Sequence, residues 1–244
     1  MNESQRRAWE ALGLGPVWRL RKRARGPVAA PVPVPVEAAL PREVPIAAQA
    51  VAVAAMDWAQ LRAAVAGCRA CALCETRTQA VFGVGPEHAS WMVIGEAPGA
   101  EEDRRGEPFV GNAGRLLDQM LAALGLGREH DVFIANVLKC RPPNNRDPSP
   151  DEIRHCEPYL ARQIELLSPR VIVVVGRIAA QALLRTEASI ASLRGRVHRY
   201  PIGARTIPLV VTYHPAYLLR SPADKARAWA DLCLARAAHD EAGG

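Results

Sequence analysis

No stretch of eighteen consecutive apolar residues occurs anywhere in this chain of 244 residues, which excludes an ordinary membrane-spanning helix. The first residues carry Glu3, Arg6, Arg7 and Glu10 where a secretory signal would need an apolar run, so the expectation is a protein that stays in the cytoplasm without a membrane partner. No internal repeat is visible, which argues against a solenoid or a propeller. With 49% hydrophobic residues, the chain can bury the core of one medium-sized domain and leave an extension over.

A general positive field is missing as well. The formal net charge is +6, but residues 1–26 hold Arg6, Arg7, Arg19, Arg21, Lys22, Arg23 and Arg25 against only Glu3 and Glu10. Any contact of the remaining chain with a polyanion must therefore be made by a local patch. Trp9, Leu12, Leu14, Val17 and Trp18 lie among these arginines, a pattern that reads equally as a solvated tail or as a short amphipathic helix docking on DNA or a protein partner. Residues 27–56 alternate Pro, Val and Ala, which removes backbone donors and favours extended polyproline geometry. The predicted organisation is a basic tail at 1–26, disordered or extended, a linker at 27–56 and a folded domain at 57–244.

The domain opens with DWAQLRAAVAGC, a helix capped by Asp57. Four β-branched-rich apolar runs follow at 91–95, 131–139, 170–176 and 208–215, separated by helical stretches at 114–126, 150–167 and 177–184. Continuous apolar strands alternating with helices predict an α/β fold with a parallel sheet covered on both faces. Ligands of such sheets bind beyond the carboxyl ends of the strands. Segments 95–115, 136–150 and 213–220 fall there and are rich in Gly, Pro, Asn, His and charge, as binding loops are.

Six cysteines in a cytoplasmic chain point to metal ligation or burial before disulfides. Cys68 and Cys71 form a C-x2-C pair, Cys140 follows the second strand and Cys156 lies in the next helix. Two such pairs suit a cubane iron–sulfur cluster or a tetrahedral zinc, and spacing does not choose between them. Cys74 extends the first group, so Cys71 and Cys74 are an alternative pair. Cys233, in the last helix, is expected to be a small buried apolar residue.

The segments GEAPGAEEDRRGEPFVGNAGRLLD, NVLKCRPPNNRDPSPDE and HPAYLLR, in this order around these cysteines, resemble the iron–sulfur uracil-DNA glycosylases usually called family 4. The resemblance runs from about Cys68 to the last helix and leaves residues 1–56 uncovered. It implies a uracil-DNA glycosylase-like fold with a central four-stranded parallel sheet and a 4Fe–4S cluster on Cys68, Cys71, Cys140 and Cys156. It also implies base excision repair of uracil in single- and double-stranded DNA. The implied protein is a monomer at the nucleoid, with residues 1–26 free to engage a replication or repair partner.

The same resemblance distributes roles over the three loops. Phe109 stacks on the flipped base, a contact of about 1–3 kcal/mol. Asn136 offers the acceptor and donor that N3–H and O4 of uracil require and that cytosine would mismatch. His214 donates to O2, where negative charge develops. Better-studied uracil glycosylases carry an aspartate where this chain has Ala97, which leaves Glu96 as the candidate for handling the water. Glu102 is expected to screen the 5-position against a methyl group, while Glu101 and Asp103 read as a solvated acidic run. Backbone amides from Gly95 to Gly99 are expected to bind uracil or phosphate.

Lys139, Arg141 and Arg146 are predicted to grip DNA, and the Tyr217–Arg220 stretch to supply the wedge that fills the gap left by the extruded base. No catalytic lysine is evident in the loops, which argues for a monofunctional hydrolase and not a Schiff-base lyase. The rival from another class is a non-catalytic iron–sulfur module that binds DNA or senses damage. A product-trapping relative would need a basic insertion after the second strand, and NNRDPSP has none.

Overall fold

The computed structural model describes Glu3 and residues 46–242. The basic tail, and the linker as far as residue 45, lie outside the described residues. The folded unit begins with α1 (Ile46–Ala54) and α2 (Trp58–Ala66), followed by the single turn α3 (Leu73–Thr76). Asp57 caps α2 in a reciprocal box, its carboxylate accepting from the Gln60 amide, and such a cap contributes about 1 kcal/mol. The helix α1 corrects the sequence reading, which placed residues 46–54 in a proline-rich linker. It buries Gln49 and Val53, and Gln49 Nε2 donates to the His155 carbonyl at 3.1 Å.

Strands β1 (Trp91–Gly95), β2 (Val132–Asn136), β3 (Val171–Val175), β4 (Val197–Ile202) and β5 (Arg205–Thr212) form one sheet in the order β2-β1-β3-β5-β4. Four of them are parallel, as expected; β4 is an additional strand, antiparallel to β5 at the edge. Between them lie α4 (Ala100–Arg105), α5 (Asn112–Ala123), α6 (Pro150–Leu167), α7 (Arg177–Leu184) and α8 (Ile190–Leu193). The chain ends with α9 (Pro215–Arg220) and α10 (Lys225–Glu241).

Alternation along each strand builds two cores. Met92, Ile94, Phe133, Ile172 and Leu209 pack with Leu61 of α2 and Ile164 of α6. Val93, Ile134, Val173 and Val210 pack with Leu117 of α5 and Leu232 of α10. Each fully buried aliphatic side chain of this kind contributes roughly 1.5–3 kcal/mol. Strand order reverses between β1 and β3, so the carboxyl ends of β1, β2, β3 and β5 open on one crevice. Among the described residues no helix is long and apolar enough to cross a membrane.

Candidate active site

At those carboxyl ends lies a cleft of about 520 Å³ lined by Glu96, Ala97, Glu102, Phe109, Asn136 and His214, with Tyr217 and Arg220 at its rim. The three loops picked out in the sequence thus meet in one place. Pairing of β1 with β2 continues past both strands, Val137 N donating to Gly95 O at 2.9 Å and Leu138 N to Glu96 O at 3.0 Å. This holds Glu96 beside the end of β2. Gly95 is required by packing: a Cβ there would sit 2.5 Å from Asn136 Oδ1 and 2.6 Å from Phe109 Cζ.

Asn136 is 2% exposed, and its Oδ1 has no hydrogen-bond partner among the described residues. A buried acceptor left in this state costs about 1–3 kcal/mol, so its retention at the cleft wall calls for a ligand donor. Phe109, also buried, faces the His214 ring at 5.6 Å between centroids with a 31° tilt. Its φ of 55° is left-handed, a conformation that an aromatic residue holds only under outside constraint.

His214 caps α9 with its own ring: Ala216 N donates to Nδ1 at 3.1 Å. Nδ1 is therefore an acceptor, which puts the proton on Nε2. Burial, reinforced by Arg220, pulls this histidine down to about 4, so at neutral pH it is an uncharged donor. Glu96 goes the other way. Burial and the negative charge of Asp147, opposed by Arg177, push it up to about 7.

Several expectations need correction. Lys139, assigned to DNA, is 1% exposed. Its ammonium donates to Asn136 O at 2.8 Å and Gln163 Oε1 at 2.6 Å, and Gln163 Nε2 in turn donates to Phe82 O at 2.9 Å. This lysine braces the end of β2 from behind the cleft. Asp103 is buried, not solvated, and accepts from Thr78 N at 2.9 Å. Glu101 is exposed, as expected, and pairs with Arg104. Glu102 lines the cleft but also accepts from the amides of Val110 at 2.9 Å and Gly111 at 3.2 Å. Arg146 and Arg141 need no correction: Arg146, paired with Glu152 through Nη1 and Nη2, keeps 46% of its side chain exposed, and Arg141 bonds Asn145 at the surface. Cys233 is exposed.

Behind the cleft, Cys68, Cys71, Cys74, Cys140 and Cys156 line a second, small cavity together with Arg77. Ala97 of the first loop packs against its apolar wall of Leu73 and Leu138. Arg77 Nη1 donates to Cys140 Sγ at 2.8 Å while Nη2 donates to Cys68 O at 2.9 Å. Burial pushes the Cys71 thiol up to about 11 and that of Cys156 to about 12, so these sulfurs would become thiolates only beside added positive charge. Among the described residues, no three His, Cys, Asp or Glu side chains converge to hold a single metal ion. A set of thiols spread around a cavity, with a guanidinium aimed at one sulfur, fits a cluster held at its corners.

A doubly covered sheet, parallel but for one edge strand, with a polar crevice at the carboxyl ends of its strands defines an α/β protein with a ligand site there. The model of the uracil DNA glycosylase superfamily matches residues 82–233, and the chain belongs to that superfamily. It is 48% identical over 162 residues to the type-4 uracil-DNA glycosylase of Archaeoglobus fulgidus, covering 65% of this chain and 81% of the relative. Identity to the type-4 enzyme of Pyrobaculum aerophilum is 43% over 183 residues, or 73% and 93% of the two chains. The type-5 uracil-DNA glycosylase of Thermus thermophilus is more distant, with 34% identity over 153 residues, or 55% and 68%.

Proposed function

We propose that this protein is a monofunctional uracil-DNA glycosylase of base excision repair, hydrolysing the N-glycosidic bond of deoxyuridine to release uracil and leave an abasic site. The observation that carries the reading is the buried Asn136 Oδ1, an acceptor without a partner among the described residues at the wall of the cleft. A flipped uracil would give its N3–H to Oδ1 and accept at O4 from Nδ2, whereas cytosine presents an acceptor and a donor the wrong way round. Phe109 stacks on the base and His214 Nε2–H donates to O2. As C1′–N1 breaks, the bonding pair moves onto the uracil ring and that donor stabilises it. A donor so placed is worth about 3–4 kcal/mol of barrier. Glu96 orients the water whose oxygen joins C1′ and accepts its proton. Amides of Gly95 to Gly99 and the Glu102 side chain close the pocket around the base.

Leu219, 45% exposed beside the buried Leu218, is the side chain that fills the vacated stack. Incubation with a uracil-containing oligonucleotide followed by alkali is expected to cleave the strand at uracil, and an intact strand at high protein concentration would sink the enzyme reading in favour of a non-catalytic module. In the same assay Leu219→Ala is expected to slow excision about tenfold from duplex, and much less from single strands, because only duplex extrusion needs the wedge.

Cys68, Cys71, Cys140 and Cys156, which line the second cavity, would hold a 4Fe–4S cluster. Bound there, a cluster would supply structure, because these four cysteines come from the segment before β1, the loop after β2 and α6. Cys156→Ala is expected to abolish the absorbance near about 400 nm and reduce iron below about four atoms per chain. Cys74→Ala is expected to keep both; loss of iron in that variant would move the ligand set. The catalytic unit, read from sequence as 57–244, is extended by α1. It works as a monomer on cytoplasmic, nucleoid-borne DNA, and the basic composition of 1–26 suits a repair or replication partner.

A further inference from the structure

Phe109 holds its left-handed φ of 55° on a loop that hydrogen bonds seize from both sides. Its following amides, Val110 N and Gly111 N, are taken by Glu102. On the carbonyl side, Arg128 Nη1 donates to Pro108 O at 3.2 Å and Nη2 to Phe109 O at 3.0 Å. Arg128 lies in the connection between α5 and β2, outside the three loops that line the cleft. Its Nε and Nη2 also donate to Asp118 Oδ1 of α5, at 2.9 and 2.6 Å, and its side chain is 19% exposed. Gly114 leaves room for this arrangement, since a Cβ there would fall 1.7 Å from Phe109 O.

We infer that Arg128, anchored on Asp118, is the positioning residue that holds Phe109 in its stacking geometry for uracil. The inference deepens the proposed function and rests on it. A left-handed aromatic residue is strained, and its carbonyl, packed against Gly114 of α5, is taken by the Arg128 guanidinium. A planar guanidinium satisfies two adjacent carbonyls at once, which the ammonium of lysine does not reproduce. Without the fork the residue relaxes towards negative φ, which swings the ring off the base plane. Arg128 touches neither base nor sugar, so its loss should weaken contacts to the base and leave contacts to the DNA backbone intact.

The discriminating experiment measures inhibition by free uracil, affinity for abasic-site duplex, and iron content in Arg128→Met, Arg128→Lys, Phe109→Ala and the Phe109→Ala/Arg128→Met double variant. Arg128→Met is expected to raise the uracil inhibition constant about tenfold with abasic-site affinity and iron unchanged. Arg128→Lys should fall short of wild type, and the double variant should be no worse than Phe109→Ala. Equal uracil inhibition in wild type and both Arg128 variants, with Phe109→Ala impaired, would overturn the role of Arg128 alone. Losses that add fully in the double variant would overturn it too, as a merely structural residue would give. An unimpaired Phe109→Ala would overturn the stacking reading and this inference together. Should Arg128→Met lose its iron, Arg128→Lys, which keeps a charge opposite Asp118, carries the same comparison.

Discussion

Replacing Asn136 with alanine is expected to lower kcat/KM for uracil excision by about 10³–10⁴ while making the free protein more stable. The two effects share one cause. In the free protein Asn136 Oδ1 is buried with no partner among the described residues, a state that costs about 1–3 kcal/mol. Alanine removes that burden, so the melting temperature should rise by several degrees, at about 2–4 °C per kcal/mol for a chain of this size. On the proposed reading, bound uracil would cancel the same burden in the wild type and in doing so be selected over cytosine. Single-turnover excision and a thermal melt check the pair. A variant that loses activity and stability together would mean that Asn136 is a structural strand end, and the uracil reading would lose its main support.

How much of this was legible beforehand depended on where the determining partner lies. The four parallel strands could be read because both faces of each are buried, which selects β-branched runs such as VIVVV. The edge strand β4 could not: its residues VHRYPI alternate between exposed and half-buried, carry Arg199 and Pro201, and pair within the sheet with β5 only. Helix α1 was hidden because IAAQAVAVA follows a proline-rich stretch of similar composition, and what makes it a helix is packing against α6. Within the cleft, Asn136, Phe109 and His214 stand in recognisable segments, but the tautomer of His214 follows from the Ala216 amide and no motif encodes it. Lys139 misled because a charge opening a loop after a strand reads as surface, whereas its Nζ is consumed by Asn136 O and Gln163 Oε1. Arg128 carried no signal at all, since the carbonyls it serves lie about twenty residues upstream and become its partners only after α5 folds back.

The pH profile should separate Glu96 and His214, two of the titratable groups of the cleft. Because His214 is pulled down to about 4, it stays neutral across the working range and adds no limb above about pH 5. Glu96 is pushed up to about 7; in its proposed role as base it would be protonated below that value, so kcat is expected to fall about tenfold for each pH unit below about 7. Glu96→Gln should lower the plateau and abolish this limb. Asp147→Asn should move the limb to lower pH, since it removes the negative charge that helps to raise Glu96. Stability carries the opposite sign. A carboxyl raised above its ordinary 4.5 binds its proton more tightly in the folded state, so folding weakens as pH rises from about 4.5 to about 7. Glu96→Gln should therefore melt higher than wild type at pH 8 and match it near pH 4. A limb that persists in Glu96→Gln, or one centred near 4, would assign the titration elsewhere. If Glu96→Gln loses the limb and gains stability at pH 8 together, the ionised carboxylate is held in the cleft at a cost to the fold, as a group kept for the chemistry would be.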